Sequence, residues 1–202
     1  LTGSGNVDAT GNALDNTLTG NSGNNTLDGG SGDDTLDGGS GSDTLIGGDG
    51  TDTASYSTSS SAVSINLLSS TYSSGDADGD TLTSIENITG SDYADILIGD
   101  SQNNILTGGV GGDQLNGGGG SDAASYSTSS SAVSINLLSS AYSGGDADGD
   151  SLTSIENIIG SDYADLIIGD SQNNSLNGGS GNDTLYGGKG SNTYTGGSGD
   201  DF

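Results

Sequence analysis

Residues 29–55 read GGSGDDTLD (29–37), GGSGSDTLI (38–46) and GGDGTDTAS (47–55). The register extends backwards through GNSGNNTLD (20–28) and GNALDNTLT (11–19) and fades before Gly11. It resumes at Gly90 with GSDYADILI, GDSQNNILT, GGVGGDQLN and GGGGSDAAS, and at Gly160 with GSDYADLII, GDSQNNSLN, GGSGNDTLY, GGKGSNTYT and the shortened GGSGDDF. The sixth position of the nine is Asp or Asn: Asn16, Asn25, Asp34, Asp43, Asp52, Asp95, Asn104, Asp113, Asp122, Asp165, Asn174, Asp183, Asn192 and Asp201. The eighth is apolar, as at Leu27, Leu36, Leu45, Leu97, Leu106, Leu115, Ile167, Leu176 and Leu185.

A strand needs little more than three residues to place one side chain inward, and the central residue of positions seven to nine is the apolar one. The six residues before it are rich in Gly, which supplies positive φ and close backbone approach in a turn. One such strand cannot bury its face alone. Coils stacked at about 4.8 Å give a continuous inner ladder of Leu and Ile. Two nines make one flattened coil, so residues eighteen apart, such as Asp34 and Asp52, stand one above the other. The spacing predicts an all-β fold, a β-solenoid with about two nonapeptides per coil.

Without that register the composition would read as disorder. The chain has 202 residues, 40 of them Gly, a net charge of −27 and no Pro, Cys, Met, Trp or His. Leu, Ile, Val and Phe make only 36 residues, too few for an ordinary globular core. One Lys, Lys189, and no Arg make nucleic acid and anionic membranes poor partners. No apolar run is long enough to insert into a membrane. The absence of His and Cys excludes the usual zinc, iron and copper sites. Oxygen is the abundant ligand: 28 carboxylates, of which only Glu86 and Glu156 are glutamates. That donor set suits a hard cation such as calcium.

The nines GGSGDDTLD, GGSGSDTLI and GGSGNDTLY closely resemble the glycine-rich nonapeptide GGxGxDxUx of the RTX (hemolysin-type) calcium-binding repeats. The resemblance implies a parallel β-roll with several Ca2+ ions held between turns. It implies that the sixth-position Asp side chains are ligands: Asp34, Asp43, Asp52, Asp113, Asp122, Asp183 and Asp201. Asp95 and Asp165 share the position, although GSDYAD lacks the second and fourth glycines. It implies further that turn carbonyls complete each shell, those of Gly29, Gly30, Gly32, Gly38, Gly39, Gly41, Gly47, Gly48, Gly50, Gly108, Gly109, Gly111, Gly178, Gly179 and Gly181. Asn at a sixth position would offer an uncharged amide oxygen and a weaker site. Members of the family are exported by type I secretion, which makes the expected location extracellular or on a bacterial cell surface.

A second period overlies the first: residues 54–109 recur as 124–179 with few and mild differences. The expected organisation is one continuous solenoid over 1–202. Nonapeptides fill 11–55, 90–125 and 160–202, and irregular 34-residue cassettes fill 56–89 and 126–159. Thirty-four residues are close to two coils of eighteen. Val63, Ile65 and Leu67 alternate as in a strand, and Leu82, Ile85 and Ile88 lead into the next nine. Extending the register back puts Ile88 and Ile158 on the eighth position and Glu86 and Glu156 on the sixth, where they are candidate ligands. The hexapeptide GDADGD suggests an acidic calcium loop in each cassette, through Asp76, Asp78 and Asp80 and through Asp146, Asp148 and Asp150. It departs from an EF-hand, with Thr81 and Asn87 where Gly and Glu would stand.

These features predict no enzyme, because a carboxylate written as a ladder is not an active site. They predict a secreted, calcium-binding structural repeat region that folds on meeting calcium outside the cell, the stalk, extender or assembly part of an adhesin, surface-layer or fibre-forming protein. The alternative is a secretion and folding module attached to an exported protease, lipase, epimerase or toxin. Beyond calcium, the expected partners are further copies of the chain, meeting at unpaired strand edges, and the cell surface or matrix. Leu1 falls in a degraded repeat and Phe202 at the seventh position of a nine, so a longer parent chain is expected.

Overall fold

The structure is a computed structural model describing residues 1–202. It contains twenty-two short strands and two single-turn 3-10 helices, Gly75–Ala77 and Gly145–Ala147. Most strands are three residues long, because Gly-rich turns leave only positions seven to nine extended. One wall is a nine-stranded parallel sheet. It stacks Thr17–Thr19, Thr35–Asp37, Thr53–Ser55, Asn87–Thr89, Ile105–Thr107, Ala123–Ser125, Asn157–Ile159, Ser175–Ser180 and Thr193–Ser198. The other wall is divided among three smaller sheets, the first of which stacks Ala9–Thr10, Thr26–Ser31, Thr44–Asp49 and Thr81–Thr83. In the nonapeptide stretches the register is eighteen, as in Leu27↔Leu45 and Leu18↔Leu36. The all-β solenoid with two nines per coil is therefore the observed fold.

The core is a ladder one side chain wide. Leu27, Leu36, Leu45, Leu97, Leu106, Ile167 and Leu176 are wholly buried, and cassette residues Val63, Ile65, Ile85, Val133, Ile135 and Ile155 continue the same cluster. In the coils where Ala54 and Ala124 stand at the eighth position, Tyr56 and Tyr126 are buried two residues further on. Leu18 and Tyr194, in the outermost coils, are the less covered members of the row.

The cassettes do not make two coils each. In the nine-stranded sheet Thr53 pairs directly with Asn87, and Ala123 with Asn157, so 34 residues advance this wall by a single rung. The extra length goes to the other wall. There Ser64–Asn66 pairs in parallel with Ile96–Ile98 and turns back on itself as an antiparallel hairpin with Thr71–Ser73. The chain then returns to lay Thr81–Thr83 on Thr44–Asp49. The second cassette does the same through Ser134–Asn136, Ala141–Ser143 and Ser151–Thr153. Length alone could not distinguish two regular coils from one coil carrying a hairpin.

Because each rung rests on one apolar side chain, Leu106→Ala is expected to lower the unfolding free energy of the calcium-saturated chain by about 2–5 kcal/mol. Leu138 is mostly exposed, and Leu138→Ala should change it by no more than about 0.5 kcal/mol. Urea titrations of the two variants against the parent chain check the contrast.

Candidate metal centres

The sixth-position residues form one row along each edge of the solenoid. Along the edge leading into the nine-stranded sheet, the N–H of one nonapeptide's sixth residue donates to the side chain of its counterpart one coil on. Asn16 donates to Asp34 Oδ1 at 2.7 Å, Asp34 to Asp52 Oδ1 at 2.8 Å and Asn104 to Asp122 Oδ1 at 2.8 Å. The opposite edge repeats this from Asn25 to Asp43, Asp95 to Asp113, Asp165 to Asp183 and Asp183 to Asp201. One carboxylate oxygen is thereby used by the stacking itself.

The fate of the other oxygen separates two kinds of turn. In six turns it is buried and accepts no hydrogen bond: Oδ2 of Asp34, Asp43, Asp52, Asp113, Asp122 and Asp183. These side chains are at most 1 % exposed. Every one of these turns has Gly at its second position with positive φ, namely Gly30, Gly39, Gly48, Gly109, Gly118 and Gly179. That conformation, which L side chains disfavour, takes the second-position N–H away from the carboxylate. Gly39 N–H donates instead to Asp37 Oδ1 at 2.9 Å, and Gly118 N–H to Asn116 Oδ1 at 3.2 Å.

In six other turns the second residue is not Gly, its φ is not positive, and its N–H closes onto the sixth side chain. Asn12 donates to Asn16, Asn21 to Asn25, Asp100 to Asn104 and Asp170 to Asn174, at 2.7–2.9 Å. Ser91 and Ser161 donate to Oδ2 of Asp95 and Asp165. Their hydroxyls also donate to Oδ1 of the same carboxylates, at 2.9 and 2.8 Å. Asp95 and Asp165 thus have both oxygens occupied, unlike the ligands that position alone suggested. The oxygens of Asn16, Asn25, Asn104 and Asn174 are likewise turned onto their own turns. Asn104 and Asn174 go further, their Nδ2 donating to the carbonyls of Glu86 and Glu156 at 2.6 and 2.8 Å. An amide N–H there meets a carbonyl that a cation would otherwise attract.

The cassettes add two more kinds of position. Asp80 and Asp150 enter the row as sixth-position residues, because the following strands continue the ladder. Oδ1 accepts the N–H of Asp43 or Asp113 at 2.7 and 2.8 Å, and Oδ2 accepts the Tyr56 or Tyr126 hydroxyl at 2.9 Å. The expected acidic loop does not form. No group of three carboxylates converges anywhere in the chain. Asp76 lies within a one-turn 3-10 helix, Asp78 is exposed, and Asp80 is drawn into the wall; Asp146, Asp148 and Asp150 follow the same course. Glu86 and Glu156 do occupy sixth positions, accepting the N–H of Asp52 and Asp122 at 2.9 and 3.0 Å.

The six open turns fit a hard cation. An unpaired buried carboxylate oxygen is costly, and a bound cation removes that cost. The space beside it is walled by backbone oxygen. A Cβ built on Gly29 would meet both Asp34 Oδ2 and the Gly47 carbonyl, and one on Gly178 would meet Asp183 Oδ2 and the Gly196 carbonyl. Carboxylate and carbonyl oxygen are the donors calcium prefers. Asp34, Asp43, Asp52, Asp113, Asp122 and Asp183 are the side chains that would hold it. Asp201, half-buried in the last coil, completes the row.

Burial raises the carboxyls of Asp43, Asp52, Asp122 and Asp183, and lifts Asp113 to about 7 against the N–H bond from Asp95 that opposes it. Burial also lifts Asp80 and Asp150 to about 6. The metal-free fold therefore binds more protons than the unfolded chain, whose carboxyls titrate near 3.8. The resulting stability is present below about pH 4 and lost as pH rises through about 7. In chelator, the strand signal in circular dichroism is expected to be larger at pH 4 than at pH 8. A signal that grew with pH would contradict this assignment of buried carboxyls.

A comparison with curated proteins gives no match. The family model of the RTX calcium-binding nonapeptide repeat matches over residues 10–45, 29–55, 89–123, 153–185 and 168–202. These stretches contain all six open turns and cover well over half of the chain. The chain accordingly belongs to the RTX calcium-binding nonapeptide repeat family, as a calcium-binding repeat region of the kind that secreted proteins carry.

Proposed function

We propose that the chain is a structural spacer whose rigidity is switched on by calcium. The observation that carries this is the set of six buried, unpaired Asp oxygens in a chain of net charge −27 with one basic residue. Without a cation these oxygens are desolvated for no return, and repulsion along the two edge rows opposes stacking. Calcium at the open turns neutralises the rows and ties one coil to the next, so its binding free energy becomes folding free energy. Where free calcium is low the chain stays unfolded, a state suited to threading through a secretion channel; at extracellular calcium it folds.

The duplicated 70-residue unit supports the spacer reading over that of a module serving an attached enzyme. Both copies have the same register, hairpin and tyrosine–aspartate pair, so repetition lengthens the solenoid and adds no new constellation of side chains. We assign the chain no catalytic role. No helix is long and apolar enough to cross a membrane. A place on a cell surface, in an adhesin or in a surface layer is compatible with this reading.

Circular dichroism with and without chelator tests the proposal at neutral pH. Strand signal is expected only with calcium, and a strand-rich spectrum surviving chelation would refute it. The division of turns yields a second test. Asp100→Gly combined with Asn104→Asp should open a closed turn and raise the calcium count by one ion per chain in equilibrium dialysis. An unchanged count would show that second-position geometry does not decide occupancy.

A further inference from the structure

The corner entering the nine-stranded sheet from each cassette is not a nonapeptide turn. Thr83 pairs with Ile46, a ninth-position residue, so Ser84 stands at position one. Asn87 pairs with Thr53, a seventh-position residue, so Glu86 stands at position six. Three residues, Ser84-Ile85-Glu86, thus do what six do elsewhere, and Ser154-Ile155-Glu156 repeats them. In the first copy the corner lies outside every stretch matched by the family model.

Three observations meet at this corner. The first is the unpaired Oδ2 of Asp52, a residue with no exposed surface, and its counterpart in Asp122, which is 1 % exposed. The second is the carbonyl of Ser84, brought to the same place by a left-handed φ of +52°; Ser154 has +49°. A Cβ on Gly47 would meet both the Ser84 carbonyl and Asp52 Oδ2, and one on Gly117 would meet the Ser154 carbonyl and Asp122 Oδ2. The Ser carbonyl therefore stands where the Gly47 carbonyl stands for Asp34. The third is the glutamate. Glu86 Oε2 takes the Asp52 N–H at 2.9 Å and Glu156 Oε2 the Asp122 N–H at 3.0 Å, as an Asp Oδ1 does between ordinary coils.

We propose that Glu86 and Glu156 are calcium ligands. Each shares a site with the Ser84 or Ser154 carbonyl and with Asp52 or Asp122, and fastens a cassette to the nonapeptide coil before it. The other cassette edge has the opposite character, since Tyr56 and Tyr126 hydroxyls fill the second oxygens of Asp80 and Asp150. Beyond each glutamate the row is closed by the Asn104 or Asn174 amide on the glutamate's own carbonyl, so the corner is the last ion-bearing step in its run.

This inference rests on the calcium reading of the open turns, and the two are separable because the chain contains only two glutamates. The full chain is made by cell-free synthesis with glutamate 13C-labelled at the side-chain carboxyl, stripped with chelator and titrated with calcium. The isotope-shifted infrared bands then report on Glu86 and Glu156 alone. The separation of their antisymmetric and symmetric stretches is expected to move from the free-carboxylate value to that of a coordinated one. Calcium uptake in dialysis with the separation unchanged overturns the assignment of the glutamates. No uptake at all overturns the calcium reading itself. In the E86Q/E156Q double variant, folded at saturating calcium by circular dichroism, dialysis should record two fewer ions per chain; an equal count overturns the proposal.

Discussion

The structure depends on a buried carboxylate with only half its hydrogen bonds. At every open turn one Asp oxygen accepts an N–H from the neighbouring coil and the other accepts nothing, although neither reaches water. Such a group cannot be stable as a lone anion. Burial raises the Asp113 carboxyl for this reason, and a bound cation would answer the same demand. The stacking of coils and the demand for a cation are thus one feature, since the carboxylate that stitches two coils together is also the one left incomplete.

Not every turn makes that demand, and the difference lies in one backbone N–H. A second-position Gly with positive φ points its N–H elsewhere; Asn, Asp or Ser at that position points it at the sixth side chain. Where the N–H closes the turn, the sixth residue is usually Asn, whose amide also donates to a carbonyl in the neighbouring coil. The solenoid therefore mixes turns that need a cation with turns that complete themselves. The cassettes extend the mixture by bringing tyrosine hydroxyls to one edge and glutamate to the other.

Much of this was legible along the chain. One apolar residue in nine located the strands and the buried ladder, and the eighteen-residue register followed from the width of a two-walled coil. Extending that register back through the cassette placed Ile88 and Glu86 correctly, because the cassette ends in phase. Its interior was not legible. The alternation of Val63, Ile65 and Leu67 announces a strand, but nothing in it states that the strand folds back on Tyr72. GDADGD looked like a converging loop because alternate residues of an extended chain share a side. In the fold Gly75–Ala77 is helical, and Asp80 is pulled into the wall by the N–H of Asp43.

The sequence by itself determined the architecture, the inward residues, the rows of sixth-position oxygens and membership of a calcium-binding family, because all of these follow from a period read along one chain. Only the tertiary structure decided which oxygens remain unpaired. That depends on what each carboxylate meets once the chain is folded: an N–H eighteen residues away, a serine hydroxyl in its own turn, or a tyrosine to which the chain returns after a hairpin. A period records where a side chain points. The partner that waits there is fixed only when the coils are stacked.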